Sequence, residues 1–473
     1  MRIHSAVSTM NITCGLFSHM VLNQDASGVC ECIFSGTCAH EGEVQAKVTR
    51  PGTMSAGNGW TFVGRCVDGE FNCRLRSLPC PGPYDISLRI VNAGNTVSAA
   101  EVSDVLVGSV WILAGQSQTK GVGFLTPYST QSTNASVRAF YMDDRWDIAS
   151  DPLHNIWEAT DKVHSVIQGK PPEKDLLRCK GPGVPFGLHM FELSGIPQGL
   201  IPCAHSGTSM QDWSPAKIAA GSESLLGATI RRIKKNGGEI AGVIWVQGEA
   251  DTTPSDAPLY TQRMKELITH IRQQVGSEAL PFVVGQIGRS LNPEDQEAWQ
   301  SIREQQRLLP DRVDRCAIVP TIDLDLDDTI HLSGESQIRL GRRLADAAWA
   351  MTSGLGNVQP TITLEKITLV ENPWRGLSVI EVKFANVAGR LVAGSRPSGF
   401  AVTDQDGNVI RELYKTELHH DIVKLKVYKT PDQISTMLLN YGLGTDPYCN
   451  ITDELDRCLP VFGPVPLRRR GSE

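Results

Sequence analysis

The feature that most constrains this chain is the run VLVGSVWILA at 105–114, which is apolar almost throughout. A strand with one wet face alternates polar and apolar side chains. A strand without that alternation is buried on both faces, as in a parallel sheet covered by helices. Runs of the same kind recur at 199–204, 240–246, 281–286 and 316–320. Helical stretches separate them. Ser214 and Pro215 supply a cap followed by proline at the first helical position, and Gly237 and Gly238 close that segment. Leu259, Met264, Leu267, Ile268 and Ile271 form the apolar stripe of a second helix. Ile338, Leu344, Ala345, Ala348 and Trp349 form that of a last one, capped by Ser333. Strand alternating with helix predicts βαβ units and a parallel sheet over 105–354.

On either side the period changes. Residues 11–104 carry short apolar runs, at 29–34, 43–48, 60–63 and 86–91, punctuated by Gly, Pro, Asn and Asp. This predicts a β domain over 1–104. After Gly354 and Gly356, period-two alternation returns in SVIEVKF at 378–384 and IVKLKV at 422–427, predicting a second β domain over 355–473. A chain of 473 residues exceeds the roughly 250–300 at which a single core stops growing, so several domains are expected. The stretch 128–180 is polar, rich in Asp and without a readable period.

Charge and cysteine content exclude several functions. A formal net charge of -7 disfavours a nucleic-acid partner, which calls for a basic surface to displace counterions. The basic run at 468–470 reads as a solvated tail. No stretch of about 18 apolar residues is present, so no membrane-spanning helix is expected. The opening segment has no apolar h-region, which favours a cytoplasmic location, with a mature secreted chain as the alternative. Of the 12 cysteines, Cys14, Cys30, Cys32, Cys38, Cys66, Cys73 and Cys80 crowd the first domain. They form no pair of C-x-x-C knuckles and read as buried thiols of a reducing compartment rather than a zinc site. Asp323, Asp325, Asp327 and Asp328 imitate the start of a calcium loop. The sixth and twelfth positions, which require Gly and Glu, are instead Asp328 and Gly334. No metal or other cofactor is expected.

Three segments lie just after apolar runs, where an open parallel sheet collects its ligand crevice. Gln116-Ser117-Gln118 follows VWILA, and a serine at a strand-to-helix turn presents its hydroxyl beside backbone N–H groups. Asp328 and His331 sit three apart before the last helix, close enough for the carboxylate to hold the imidazole tautomer and leave Nε2 free as a base. Gln247-Gly248-Glu249 follows GVIWV, and Gly207 follows LIPCA; both are candidate oxyanion donors. Taken singly, each has an ordinary structural reading as a cap or a bonded loop. The order Ser, Gly, Gln-Gly, Asp-x-x-His at successive strand ends is the informative part. The nucleophile elbow G-x-S-x-G of α/β-hydrolases is not met, because its last position is Thr119.

With these segments in place the chain resembles the sialate O-acetylesterases, a family of SGNH-type carbohydrate esterases. Residues 16–22 (LFSHMVL) are similar to the family's opening F-S-D-x-M-V-L, and Gly82-Pro83-Tyr84 followed by 105–117 to its G-P-Y … D-V-L-x-G-E-V-W-x-x-S-G-Q-S-N-M block. Residues 206–213 correspond to G-G-T-P-I-E-A-W and 245–251 to W-Y-Q-G-E-S-N, and the stretches 440–451 and 459–464 resemble the closing patterns. Gln118 and Thr119 depart from the family's Asn and Met. The resemblance implies a three-layer α/β/α catalytic domain flanked by β domains, and metal-free hydrolysis of acetyl esters on sugars. It further implies Ser117 as nucleophile, His331 as base and Asp328 as its orienting acid. The Ser117 and Gly207 N–H groups and the Gln247 side chain are the implied oxyanion donors, and Gln116, Gln118 and Glu249 the candidate substrate contacts. An acetylated carbohydrate is thus the expected partner, with acetylated xylan or another polysaccharide as the alternative to sialate. A catalytically inert carbohydrate-binding protein is the competing class. An anionic sugar calls for a cation, and Lys120, Arg138 and Arg289 are available. Trp111, Trp213 and Trp245 read as core rather than as stacking platforms.

Overall fold

The computed structural model describes residues 8–51, 59–127, 133–165, 170–292, 295–354, 361–372 and 377–467; the basic run at 468–470 lies outside them. At its centre is a sheet whose strands run in the order Trp146–Ile148, Val137–Phe140, Gln198–Pro202, Asn95–Gly115, Gly242–Val246, Phe282–Gln286 and Cys316–Pro320. The five apolar runs of the sequence are all in it. Every pairing among these strands is parallel except the outermost, where Trp146–Ile148 returns antiparallel beside Val137–Phe140. The sheet is therefore mixed, not purely parallel as expected. The reason is local: a tight turn with Asp144 at φ 64 joins these two strands, and so short a link permits only a hairpin.

Side chains alternate between two cores. Trp111, Leu113, Ile244, Val246 and Val283 pack against helices Gly183–Ser194 and Gly334–Thr352. Val110, Ile112, Val243, Trp245 and Phe282 face helices Leu225–Lys235, Tyr260–Val275 and Gln296–Arg307. Trp111, Trp213 and Trp245 are fully buried, as core residues should be. Ser333 caps the last helix through Ser336 N–H. The predicted single helix from Ser214 is in fact two pieces. Ser214 caps a 3-10 stretch, Pro215–Glu223, which breaks at Gly221 (φ 55) before Ser224 recaps the helix. A glycine with positive φ followed by a second good cap divides the segment.

Strand Asn95–Gly115 runs from the N-terminal β region into the central sheet. Its first half pairs antiparallel with Tyr84–Asn92 and its second half parallel with Gln198–Pro202 and Gly242–Val246. The change of partner falls at Asp104, whose φ of 58 marks a bulge. The C-terminal region holds a four-stranded sheet over Thr363–Asn372, Leu377–Ala385, Ile422–Val427 and Leu413–His419, and a three-stranded one over Phe400–Thr403, Leu438–Tyr441 and Phe462–Pro466. Gln286, at a central strand end, binds both N–H and C=O of Val461 at 2.9 Å, tying this region to the sheet. All 12 cysteines are free thiols. Burial pushes Cys73 and Cys316 up to about 12, which keeps them unreactive. Among the described residues no helix is long and apolar enough to cross a membrane.

Candidate active site

Four loops at the C-terminal ends of central strands interlock. The first begins at Gly115, where φ is 122 and an added Cβ would stand 2.3 Å from Val246 O; only glycine lets the strands approach this closely before the turn. Gln116 N–H donates to Val246 O at 3.0 Å, and Ser117–Lys120 forms a single helical turn. Thr119 anchors that turn, its hydroxyl donating to Ala114 O at 3.0 Å and accepting from Val246 N–H at 3.1 Å.

Ser117 is 6% exposed, and its hydroxyl makes no hydrogen bond among the described residues. The loop carrying His331 is held onto its turn by Gln118. That side chain donates to Ile330 O at 2.9 Å and accepts from Leu332 N–H at 3.2 Å, so it grips the backbone on both sides of His331. Within the loop, His331 Nδ1 lies 2.8 Å from Asp328 Oδ2, while Asp328 Oδ1 accepts from the N–H groups of Ile330 and His331. Arg178 completes the arrangement by donating to Asp328 Oδ2. Burial works against the Asp328 charge, but these bonds outweigh it and hold the carboxyl well below the usual range. Sequence reasoning missed Arg178 because it lies in the unreadable 128–180 stretch.

The remaining loops close around this pair. His205 N–H donates to Gly115 O at 3.1 Å, which ties the loop carrying Gly207 to the strand end before the serine turn. Gly207 has φ 71, and nothing lies within 4 Å of the position its Cβ would take. The N–H groups of Ser117 and Gly207 have no partner among the described residues. Gln247 differs from expectation: its Nε2 is spent on Thr208 O at 3.1 Å and Asp251 Oδ2 at 2.5 Å, leaving only its oxygen unpartnered. Both partners are acceptors, so the amide nitrogen must face them and no donor is left for an oxyanion. Gln118, expected at the substrate, is buried with its amide spent inside the protein, and Gln116, also buried, has its oxygen engaged. Gln116 Oε1 accepts from Gly248 and Ala250 N–H at 3.4 Å. Glu249 lies alongside Gln118, one carboxyl oxygen buried and unpartnered, and burial pushes its pKa up to about 7.

The three candidate cations are in different situations. Arg138 is buried on Asp104, and Arg289 pairs with Asp325 and Asp446. Lys120, at the end of the Ser117 turn, forms no ion pair among the described residues, and burial lowers its pKa. The calcium-like carboxylates are dispersed: Asp323 binds Arg339 and Arg343, and Asp327 accepts from Phe124 and Gly334 N–H.

Comparison with known proteins finds carbohydrate esterases. The family model for carbohydrate esterases described as sialic acid-specific acetylesterases matches residues 107–350. A probable carbohydrate esterase of Arabidopsis thaliana is 29% identical over 263 residues, 52% of this chain and 92% of that protein. A carbohydrate acetylesterase from Xanthomonas citri shares the fold with a TM-score of 0.71 at 19% identity, over 96% of this chain and 99% of that one. The chain belongs to the carbohydrate esterase family of sialic acid-specific acetylesterases, and is a carboxylic ester hydrolase.

Proposed function

We propose that this esterase removes O-acetyl groups from sugars through a Ser117–His331–Asp328 triad on a three-layer, SGNH-type catalytic domain over 105–354. That domain would be flanked by β domains over 1–104 and 355–473. The observation that carries the reading is the grip of Gln118, next to Ser117, on the backbone either side of His331. A side chain of that length ties the turn of Ser117 to the loop of His331, which supports a shared crevice for nucleophile and base. Asp328 fixes Nδ1, so Nε2 is the nitrogen that faces the reaction.

Nε2 of His331 takes the Ser117 proton as Oγ bonds to the acetyl carbon. The oxyanion is received by the unpartnered N–H groups of Ser117 and Gly207. Gln247, its donors committed elsewhere, orders the loop instead. The imidazolium then protonates the departing sugar oxygen as its bond to carbon breaks, leaving an acetyl-enzyme. Water, deprotonated by His331, attacks the acetyl carbon and releases acetate, and Ser117 recovers the proton.

Within the sugars, an anionic one such as acetylated sialic acid is favoured by Lys120, which closes the Ser117 turn and forms no ion pair among the described residues. Ser117→Ala is expected to lower kcat on 4-nitrophenyl acetate by at least about 1000-fold with an unchanged melting curve. Normal turnover by that variant ends the assignment. Acetate release from acetylated sialic acid against acetylated xylo-oligosaccharide decides the sugar.

A further inference from the structure

A cleft of about 700 Å³ opens at the antiparallel edge of the central sheet. Its apolar lining includes Trp157 and the exposed Ile148 and Leu176, and its polar lining Asp147, Glu158 and Lys174. The Trp157 ring stands on the 3-10 turn Ile156–Glu158, with Lys174 Nζ 6.0 Å from its centroid. Arg145, also in the cleft, is already paired with Asp143.

This lining selects its ligand by chemistry. An apolar ligand would strip water from carboxylates without replacing their hydrogen bonds. A phosphorylated one would meet Asp143, Asp147 and Glu158 against only Arg145 and Lys174. A neutral sugar fits both halves, laying its C–H face on the indole and turning its hydroxyls to the carboxylates.

Two short segments link the cleft to the candidate active site. Lys174 and Leu176 run into Arg178, which holds Asp328; four residues span at most about 14 Å. On the other side, Trp157 follows three residues after His154, a buried ring that feels the Lys120 charge at the end of the Ser117 turn.

We infer that this cleft is a subsite for the neutral sugars of a glycan whose acetylated residue sits at Ser117. The enzyme then acts on a glycan chain, and this rests on the esterase reading above. The test compares wild type with Trp157→Ala and with Glu158→Gln, an exposed and conservative change. The substrates are an acetylated sialyl trisaccharide, acetylated free sialic acid and 4-nitrophenyl acetate. KM for the trisaccharide is expected to rise roughly tenfold in Trp157→Ala and severalfold in Glu158→Gln, the two smaller substrates being unaffected. An unchanged trisaccharide KM in both variants, or equal losses on all three substrates, overturns the subsite alone. Failure of wild type to cleave 4-nitrophenyl acetate overturns the esterase reading itself.

Discussion

The side-chain nitrogen of Gln118 donates to the carbonyl of Ile330 at 2.9 Å, across 212 residues of sequence. With the return bond from Leu332 N–H, it makes the serine turn and the histidine loop one mechanical unit. Gln118→Leu keeps the volume and removes both bonds. Two backbone groups would then be left unpaired, at a cost of about 1–3 kcal/mol each where water is excluded. The expected result is a lower melting temperature and a kcat reduced about tenfold or more, with KM little changed. Wild-type kcat in this variant would mean that the loop needs no such hold.

Asp328 supplies a pH signature. Its pKa is lowered from the ordinary 3.8 in the folded chain, so its contribution to stability is present above that value and is lost as pH falls below it. Asp328→Asn mimics the protonated form. In urea titrations the variant is expected to be less stable than wild type at neutral pH, the gap closing as the solution is acidified below the carboxylate range. A gap that stays constant in acid would show that the charge is not what stabilises the loop.

Glu249 behaves in the opposite sense. Burial disfavours its charge and pushes the carboxyl up to about 7 in the folded chain, against an ordinary 4.5. Below 4.5 both states are protonated and nothing is lost; between 4.5 and 7 the unfolded chain ionises first, so folding weakens as pH rises. Glu249→Gln cannot ionise. Its melting temperature, measured beside wild type from acid to alkaline buffer, should match at the acid end and exceed wild type above neutrality. Parallel curves would refute the buried-acid account.

Much of the scaffold is legible in the chain itself. Uninterrupted apolar runs such as 105–114 report burial on both faces, because a strand's environment is written in the period of its own side chains. Caps such as Ser333 are equally local, since cap and first turn are neighbours in sequence. The Asp328–His331 pair belongs to the same class: the partners stand three positions apart, and one loop suffices to join them.

What the sequence could not decide was the use of groups whose partners are remote. Gln247 reads as an oxyanion donor until the fold brings Thr208 O and Asp251 onto its nitrogen. Gln118 reads as a substrate contact until the chain closes and sets it against Ile330 and Leu332. Arg178 gives no signal at all, because an isolated arginine in an aperiodic stretch acquires a role only when Asp328 arrives beside it. Local periodicity and capping determined the five apolar strands, the caps and the serine's turn. Only tertiary packing decided which donors stay free at that turn, because a hydrogen bond between distant residues depends on proximity that no run of neighbours encodes.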